Sequence, residues 1–317
     1  MDEIEVDVLV VGGGAAGLSG ALMLARARRS VLVVDAGRPR NAPAEGVHGL
    51  LGHDGVPPGE LLARGRAEVT SYGGRVAEDS VDTIVREGDR FRAALATGGV
   101  VLARRVLLAT GLVDQLPEIP GLADHWGHDV VHCPYCHGWE VRDRPIAVVG
   151  TGPMSFHQVQ LFRQWTSDLL YLQHDAPAPS EEERALMAAR GIGFEPARIE
   201  EVLADGGSIA GVRLADGRLV PREVLAVATR MEARVGAFEA LGVEVADHPS
   251  GMGRHVVADP QGRTTVEGVW AAGNVVDLSA QVGAAASQGA MAGAMINMDL
   301  VVEDGAIAVA ALAGREA

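Results

Sequence analysis

The feature that most constrains this chain is a glycine turn held between two apolar runs near its N-terminus. Val6 to Val11 is an apolar run but for Asp7, Gly12-Gly13-Gly14-Ala15-Ala16-Gly17 follows, Leu18 to Arg28 has helical spacing, and Ser30 to Val34 is a second run, apolar after its serine and closed by Asp35. The order is strand, helix, strand, with G-x-G-x-x-G (Gly12, Gly14, Gly17) at the first turn and a carboxylate about 20 residues on, the spacing of a dinucleotide-binding unit. Each position has a mechanical reason. Gly12 permits the tight turn, Gly14 lets backbone approach a pyrophosphate, Gly17 packs the helix on the strand, and the helix N-terminus offers N–H groups and a positive dipole. Asp35 is spaced to accept from ribose hydroxyls.

The pattern starts over downstream. A Pro- and Gly-rich loop from Gly37 to Gly59 leads to a predicted helix over 60–71, then to short alternating segments (Val81 to Val85, Phe91 to Leu95, Val100-Val101) with Gly98-Gly99 as a hairpin turn. An apolar strand then ends in Ala109-Thr110-Gly111, and Pro117, Pro120 and Gly121 mark a linker. Pro145 to Val149 reads as a strand, Gly150 to Ser155 as a second glycine turn, Phe156 to Trp165 as a helix and Asp168 to Leu172 as a strand. Near the C-terminus a strand runs into Gly268-Val269-Trp270-Ala271-Ala272-Gly273-Asn274. The small-residue stretch 281–297 is predicted to be a helix, because small residues let a helix approach a cofactor or another helix closely. The fold class is α/β with two Rossmann-like units, in keeping with the roughly two domains that 317 residues allow.

Composition narrows the function. A net charge of -15 opposes a general nucleic-acid or anionic-membrane surface and favours small-molecule partners. No run approaches the roughly 18 apolar residues of a membrane helix. The opening Met1 to Glu5 is acidic, without a leader's basic and apolar regions, so the expected location is the cytoplasm. The two cysteines, Cys133 and Cys136, are too few for a disulfide scaffold. Cys133-Pro134-Tyr135-Cys136-His137 matches haem attachment by spacing, but that chemistry needs export and another fold. Zinc with His132 or His137 lacks an easy tetrahedral set, so no metal is expected. Buried structural thiols remain an alternative to a redox dithiol, the reading the spacing favours, since C-x-x-C closes one disulfide over a short turn.

Two dinucleotide-type units, C-x-x-C just before the second, and the Trp-Ala-Ala-Gly-Asn strand end together resemble the low-molecular-weight thioredoxin reductase family of FAD enzymes over nearly the whole chain. The resemblance implies a discontinuous FAD domain, 1–115 and 244–317, around an inserted NAD(P)-binding-like domain, 116–243, that carries the cysteines, and it implies a homodimer. FAD contacts are implied at Gly12, Gly13, Gly14, Ala15, Ala16 and Gly17 for the pyrophosphate and at Asp35 for ribose, with Ala36 and Val81 in the same set. Ala109, Thr110 and Gly111 lie beside the cofactor, Gly273 and Asn274 at a strand end, and Gln281 and Val282 at a helix N-terminus facing the flavin ring. Asn274 stands where the family has Asp, with Asp277 as a candidate displaced substitute.

Within the family, Cys-Pro-Tyr-Cys-His-Gly-Trp-Glu (133–140) is closer to the dithiol oxidases of holomycin and gliotoxin type. The loop from Pro39 to Pro58 also looks like that branch, which makes Arg40 and His48 candidate flavin contacts. The place where NADPH users present an Arg cluster reads Leu172-Gln173-His174-Asp175, and Pro153 with Met154 crowds the turn, so the second turn reads as a relic, with NADH or NADPH as alternatives. The resemblance then implies an FAD-dependent oxidase that closes a disulfide in a small-molecule dithiol, with O2 as acceptor and hydrogen peroxide as product. Cys133 is attacked as the more exposed sulfur, Cys136 faces the flavin, and His137 takes the thiol proton or merely bonds backbone; Glu140 has a weaker claim as acceptor. The alternatives are an NAD(P)H-dependent thioredoxin or disulfide reductase and a non-catalytic flavin-binding sensor.

Overall fold

The structure, a computed structural model, describes residues 3–316 apart from Pro153. The opening strand β1 (Glu3–Val11) has Val8, Leu9 and Val10 wholly buried, since helices or strands cover both its faces. The glycine turn then delivers the chain into α1 (Ala15–Arg26) and back through β2 (Val31–Asp35), parallel to β1 with Val8 opposite Val31. Next comes α2 (Pro58–Ser71), begun by a proline whose fixed φ suits a first helical turn. It is followed by β3 (Arg75–Glu78), which pairs beyond β2. An antiparallel meander, β4 (Val81–Glu87), β5 (Arg90–Leu95) and β6 (Val100–Leu108), completes the order β3-β2-β1-β6-β5-β4.

The chain crosses out of this sheet along β7 (Leu112–Gln115). It then builds β8 (Val130–Val131), α3 (Pro134–His137), β9 (Ile146–Val149), α4 (Ser155–Phe162) and β10 (Leu169–Leu172). The capped helix α5 (Glu181–Ala189), which sequence patterning missed, starts at Ser180, whose hydroxyl and Glu183 form a capping box. After β11 (Gly193–Glu195), a hairpin layer β12 (Ile199–Asp205), β13 (Ser208–Leu214) and β14 (Leu219–Pro221) precedes β15 (Val224–Val227). The five parallel strands run β11-β10-β9-β15-β8, with the hairpin layer packed on one face through Val202, Val212 and Leu214, and α4 on the other through Val159 and Phe162.

Return is by β16 (Arg230–Ala233), antiparallel to β7, so two adjacent strands carry the whole connection between the sheets. Phe238, 1% exposed, already belongs to the first core with Ile84 and Phe91, so the chain re-enters that unit near 234 and not at 244 as expected. Its apolar turn Gly236–Leu241 lies against the meander, a placement no local sequence signal announces. Strands β17 (Val245–Asp247) and β18 (Gly253–Val256) extend the crossing sheet. Strand β19 (Val269–Ala271) pairs with the C-terminal half of β6, and α6 (Val282–Glu316) closes the chain.

Helix α6 continues 19 residues past the predicted end at 297. Arg104 and Arg105 hold its extension through Asp299, Glu303 and Asp304, contacts invisible to a local reading. Its small residues do serve close approach: a Cβ on Gly289 would stand 1.9 Å from the Ala16 carbonyl oxygen, and one on Gly293 2.6 Å from that of Gly20.

Candidate active site

One cavity of about 1410 Å³ opens between the two sheets, and its wall takes in every flavin contact expected from the sequence except Gly17, together with Cys133, Cys136 and His137. The first turn is shaped as a cradle. Gly12 has φ of +105° and a Cβ there would lie 2.4 Å from the Ala109 carbonyl oxygen, whereas a Cβ on Gly14 meets no protein atom within 4 Å and would project into the open space. Gly17 acts from behind, its Cα packed so that a Cβ would come 1.9 Å from the Gly12 carbonyl oxygen. Backbone N–H groups of the turn thus face room for a pyrophosphate, which is the fit FAD requires. Asp35 ends β2 on the same wall, with one carboxylate oxygen paired to Arg66 at 2.6 Å.

At the far end Asn274 lines the cavity, its amide nitrogen donating to the carbonyls of Ala280 at 2.8 Å and Asp277 at 3.1 Å. Asp277 is no displaced substitute for it. Its carboxylate is absorbed locally, accepting from the Ser279 N–H and hydroxyl and from Gln288, and it stands away from the cavity wall. Gln281 and Val282 do reach the wall, at the start of α6.

The two cysteines are free thiols here, at the start of and within the one-turn helix α3. Both are half-buried, so exposure does not separate them. Hydrogen bonding does. The Cys136 S–H donates to Cys133, and backbone N–H groups of Cys136 and Tyr135 add to it; these outweigh burial, and with the charge of Arg40 they bring the Cys133 thiol down to about 7. Cys136 is pushed up by the same shared hydrogen bond and by burial. Burial drives His137 below the ordinary histidine value, opposed by Glu140 and helped by His48 and His128.

Arg40 and His48, the candidate flavin contacts on the loop, line the cavity, but their polar ends are committed within the protein. Arg40 forks onto Asp114 at 2.6 and 2.7 Å, and Thr229 donates to the same carboxylate at 2.7 Å. Asp114, 6% exposed in its side chain, was missed from sequence; its signal is a lone carboxylate in the short strand β7. His48 stands 3.5 Å from Glu140 and 3.6 Å from Asp54. The loop carrying both residues therefore bridges the units, and Pro43 on it seats on Gly127, where a Cβ would come within 2.5 Å.

The second glycine turn is differently disposed. Ser155 Oγ accepts from the N–H groups of Thr151 at 2.9 Å and Gly152 at 3.3 Å, using two donors a pyrophosphate would need. Thr151, Gly152 and Met154 still line the shared cavity, and Pro153 lies outside the described residues. The segment 172–175 carries no arginine of its own, but Arg198, just before β12, forks onto the Asp175 carboxylate. Sequence distance concealed it.

Among the described residues, no helix is long and apolar enough to cross a membrane. Residues 6–289 match the model of the pyridine nucleotide-disulphide oxidoreductase family. The solved structure of HlmI superposes with a TM-score of 0.92 at 42% identity, covering 99% of this chain and 98% of its own. An oxidoreductase from Agrobacterium tumefaciens gives 0.89 at 37% identity, over 94% and 99%. Thioredoxin reductase tcpT of Claviceps purpurea is 33% identical over 310 residues, 94% of this chain and 95% of that protein.

Proposed function

This chain belongs to the pyridine nucleotide-disulphide oxidoreductase family, and from that premise we propose that it oxidises the two thiols of a small molecule to an intramolecular disulfide. It is a flavoenzyme of thioredoxin reductase-like fold, with FAD as cofactor. The observation that carries the proposal is the sharing of one cavity by the Cys133–Cys136 pair and the first glycine turn, while Ser155 occupies the donors of the second. The likeness to HlmI supports it.

The cycle begins with the pair as a disulfide. His137, kept uncharged at neutral pH by burial, accepts the proton of an incoming thiol. The substrate thiolate attacks Cys133 Sγ, the Cys133–Cys136 bond breaks, and Cys136 leaves as thiolate. The second substrate thiol gives its proton to the Cys136 thiolate and attacks the substrate sulfur of the mixed disulfide, closing the ring and expelling Cys133. Stabilisation of the Cys133 thiolate by Cys136 and the α3 N–H groups makes it the better leaving group in that ring-closing step. FAD, held by the first glycine turn and Asp35, would supply a two-electron acceptor for the reduced pair and, in this proposal, a donor to O2. The overall change is dithiol plus O2 to cyclic disulfide plus hydrogen peroxide. We extend it to a natural-product dithiol of holomycin type and to a homodimer working in the cytoplasm.

An oxygen electrode with dithiothreitol as substrate tests the reaction. Dithiol loss, oxygen uptake and peroxide formation are expected in equal amounts without pyridine nucleotide. A second reading, an NAD(P)H-dependent thioredoxin reductase, is favoured by the name of the tcpT relative and by Arg198 beside the second turn. Saturable NADPH dependence with thioredoxin reduced at comparable speed would replace the first reading with the second.

A further inference from the structure

The chain has only four tryptophans and three tyrosines, and two of these seven rings stand in solvent within five residues of one another, around the redox pair. Tyr135 is 62% and Trp139 65% exposed, whereas the other three tryptophans are buried or half-buried. Isolated exposed apolar side chains need no explanation; two large rings flanking a reactive site do. Their spacing puts them on one face, because the hydrogen bonds from Gly138 N–H to Pro134 and from Val141 N–H to His137 carry the helical turn of α3 onward, and residues four apart on such a turn are neighbours.

Both rings are braced. Tyr135 meets Trp165 edge-on, centroids 5.8 Å apart at 88°, and Trp165 itself lies so close under Gly138 that a Cβ there would come within 2.7 Å of its ring. The Arg142 guanidinium sits over the Trp139 ring, 4.1 Å from its centre, and donates to the Trp139 carbonyl oxygen, while the residue as a whole stays exposed. Tyr135 lines the cavity that holds both sulfurs. Trp139 follows two residues after the cavity-lining His137, beside Glu140, which meets the cavity-lining His48 at 3.5 Å. Rigid rings with few rotamers to lose make contact area at low entropic cost.

We propose that Tyr135 and Trp139 are specificity-determining residues that select a flat, unsaturated ring bearing the two thiols, by stacking it at the mouth while its sulfurs reach Cys133. This deepens the dithiol oxidase assignment and rests on it. A hydrophilic open-chain dithiol reaches the same sulfurs but gains nothing from the rim.

The test compares two dithiols that close the same six-membered ring, 1,2-benzenedimethanethiol and dithiothreitol, with wild-type holoenzyme, Trp139→Ala and Tyr135→Leu. Each substitution is expected to lower the preference for the aromatic dithiol, as a ratio of kcat/KM values, by about fivefold, the size of one aromatic contact, and to do so through KM. Tyr135 lies inside the C-x-x-C turn, so Trp139→Ala carries the decision if Tyr135→Leu loses its fold by circular dichroism. Calorimetric titration of 1,2-benzenedimethanethiol into a Cys133→Ser/Cys136→Ser flavoprotein, with and without Trp139→Ala, reads binding without turnover. If neither dithiol is oxidised by wild type, the oxidase assignment fails while the titration still decides the rim. An unchanged ratio together with unchanged binding would overturn the proposal. So would a Trp139→Ala protein whose only change is a smaller sedimentation coefficient, which would assign the rim to contact between copies of the chain.

Discussion

The asymmetry of the cysteine pair gives the most direct test of the site. Reduced, anaerobic holoenzyme is treated with iodoacetamide across a pH series, and labelling at each cysteine is followed by peptide mass. With its thiol at about 7 against an ordinary 9.0, Cys133 is half ionised at pH 7. An unperturbed thiol is about 1% ionised there, so the thiolate population rises roughly 50-fold. A more stable thiolate is a weaker nucleophile, and a Brønsted slope of about 0.4–0.5 takes back roughly 6- to 10-fold over that interval. The net expectation is labelling at Cys133 about sixfold faster than a free thiol at pH 7, with an inflection near 7 and with Cys136 labelled only afterwards. Cys136→Ala removes the donor that contributes most, and it is expected to move the inflection up. Arg40→Leu removes a smaller contribution and moves it up less. An inflection at the ordinary thiol value, or labelling of Cys136 first, would refute the assignment of Cys133 as the stabilised thiolate.

Three further outcomes follow from the same geometry. Cys133→Ser and Cys136→Ser are each expected to keep the flavin and lose dithiol oxidation; full turnover with oxygen by either variant would sink the dithiol cycle. Gly14→Val should fold yet purify colourless, because its side chain enters the space above the turn, while Gly17→Ala should fail in the fold itself, where a Cβ would stand 1.9 Å from the Gly12 carbonyl oxygen; visible absorbance and circular dichroism separate the two. Asp114→Asn strands Arg40, and since that guanidinium is 28% exposed the cost is set below a fully buried pair, at about 2–3 kcal/mol, or a Tm lower by roughly 3–5 °C. Burial raises the Asp114 carboxyl but Arg40 and Thr229 hold it below its ordinary 3.8, so this stability is present above that pH and is lost as pH falls through the folded value. The deficit of Asp114→Asn should therefore shrink on acidification, and a constant deficit would show that charge is not its source.

Much of this molecule is written locally. The first glycine turn, Asp35 and the cysteine pair each announce themselves within a few residues, because backbone reach and thiol spacing are short-range requirements. What escaped was set by contacts between distant segments. Arg198 reaches Asp175 across 23 residues, Asp114 meets Arg40 across 74, and Arg105 fixes α6 across 194. The carboxylate at Asp277 misled for the complementary reason: proximity in sequence to Asn274 places it in a turn that consumes its own polar atoms.

The loop that joins Arg40 to Asp114, Pro43 to Gly127 and His48 to Glu140 has a kinetic consequence. An enzyme that collects electrons at one nucleotide and delivers them at another must swing its cysteines between two stations, and each swing adds waiting time to every turnover. Here three fasteners tie the cysteine-bearing unit to the loop beside the first glycine turn, with both lining one cavity. For the dithiol oxidase proposed above, such fastening would leave no internal clock: the pace would be set by how quickly fresh thiols arrive at the doorway and finished rings depart from it.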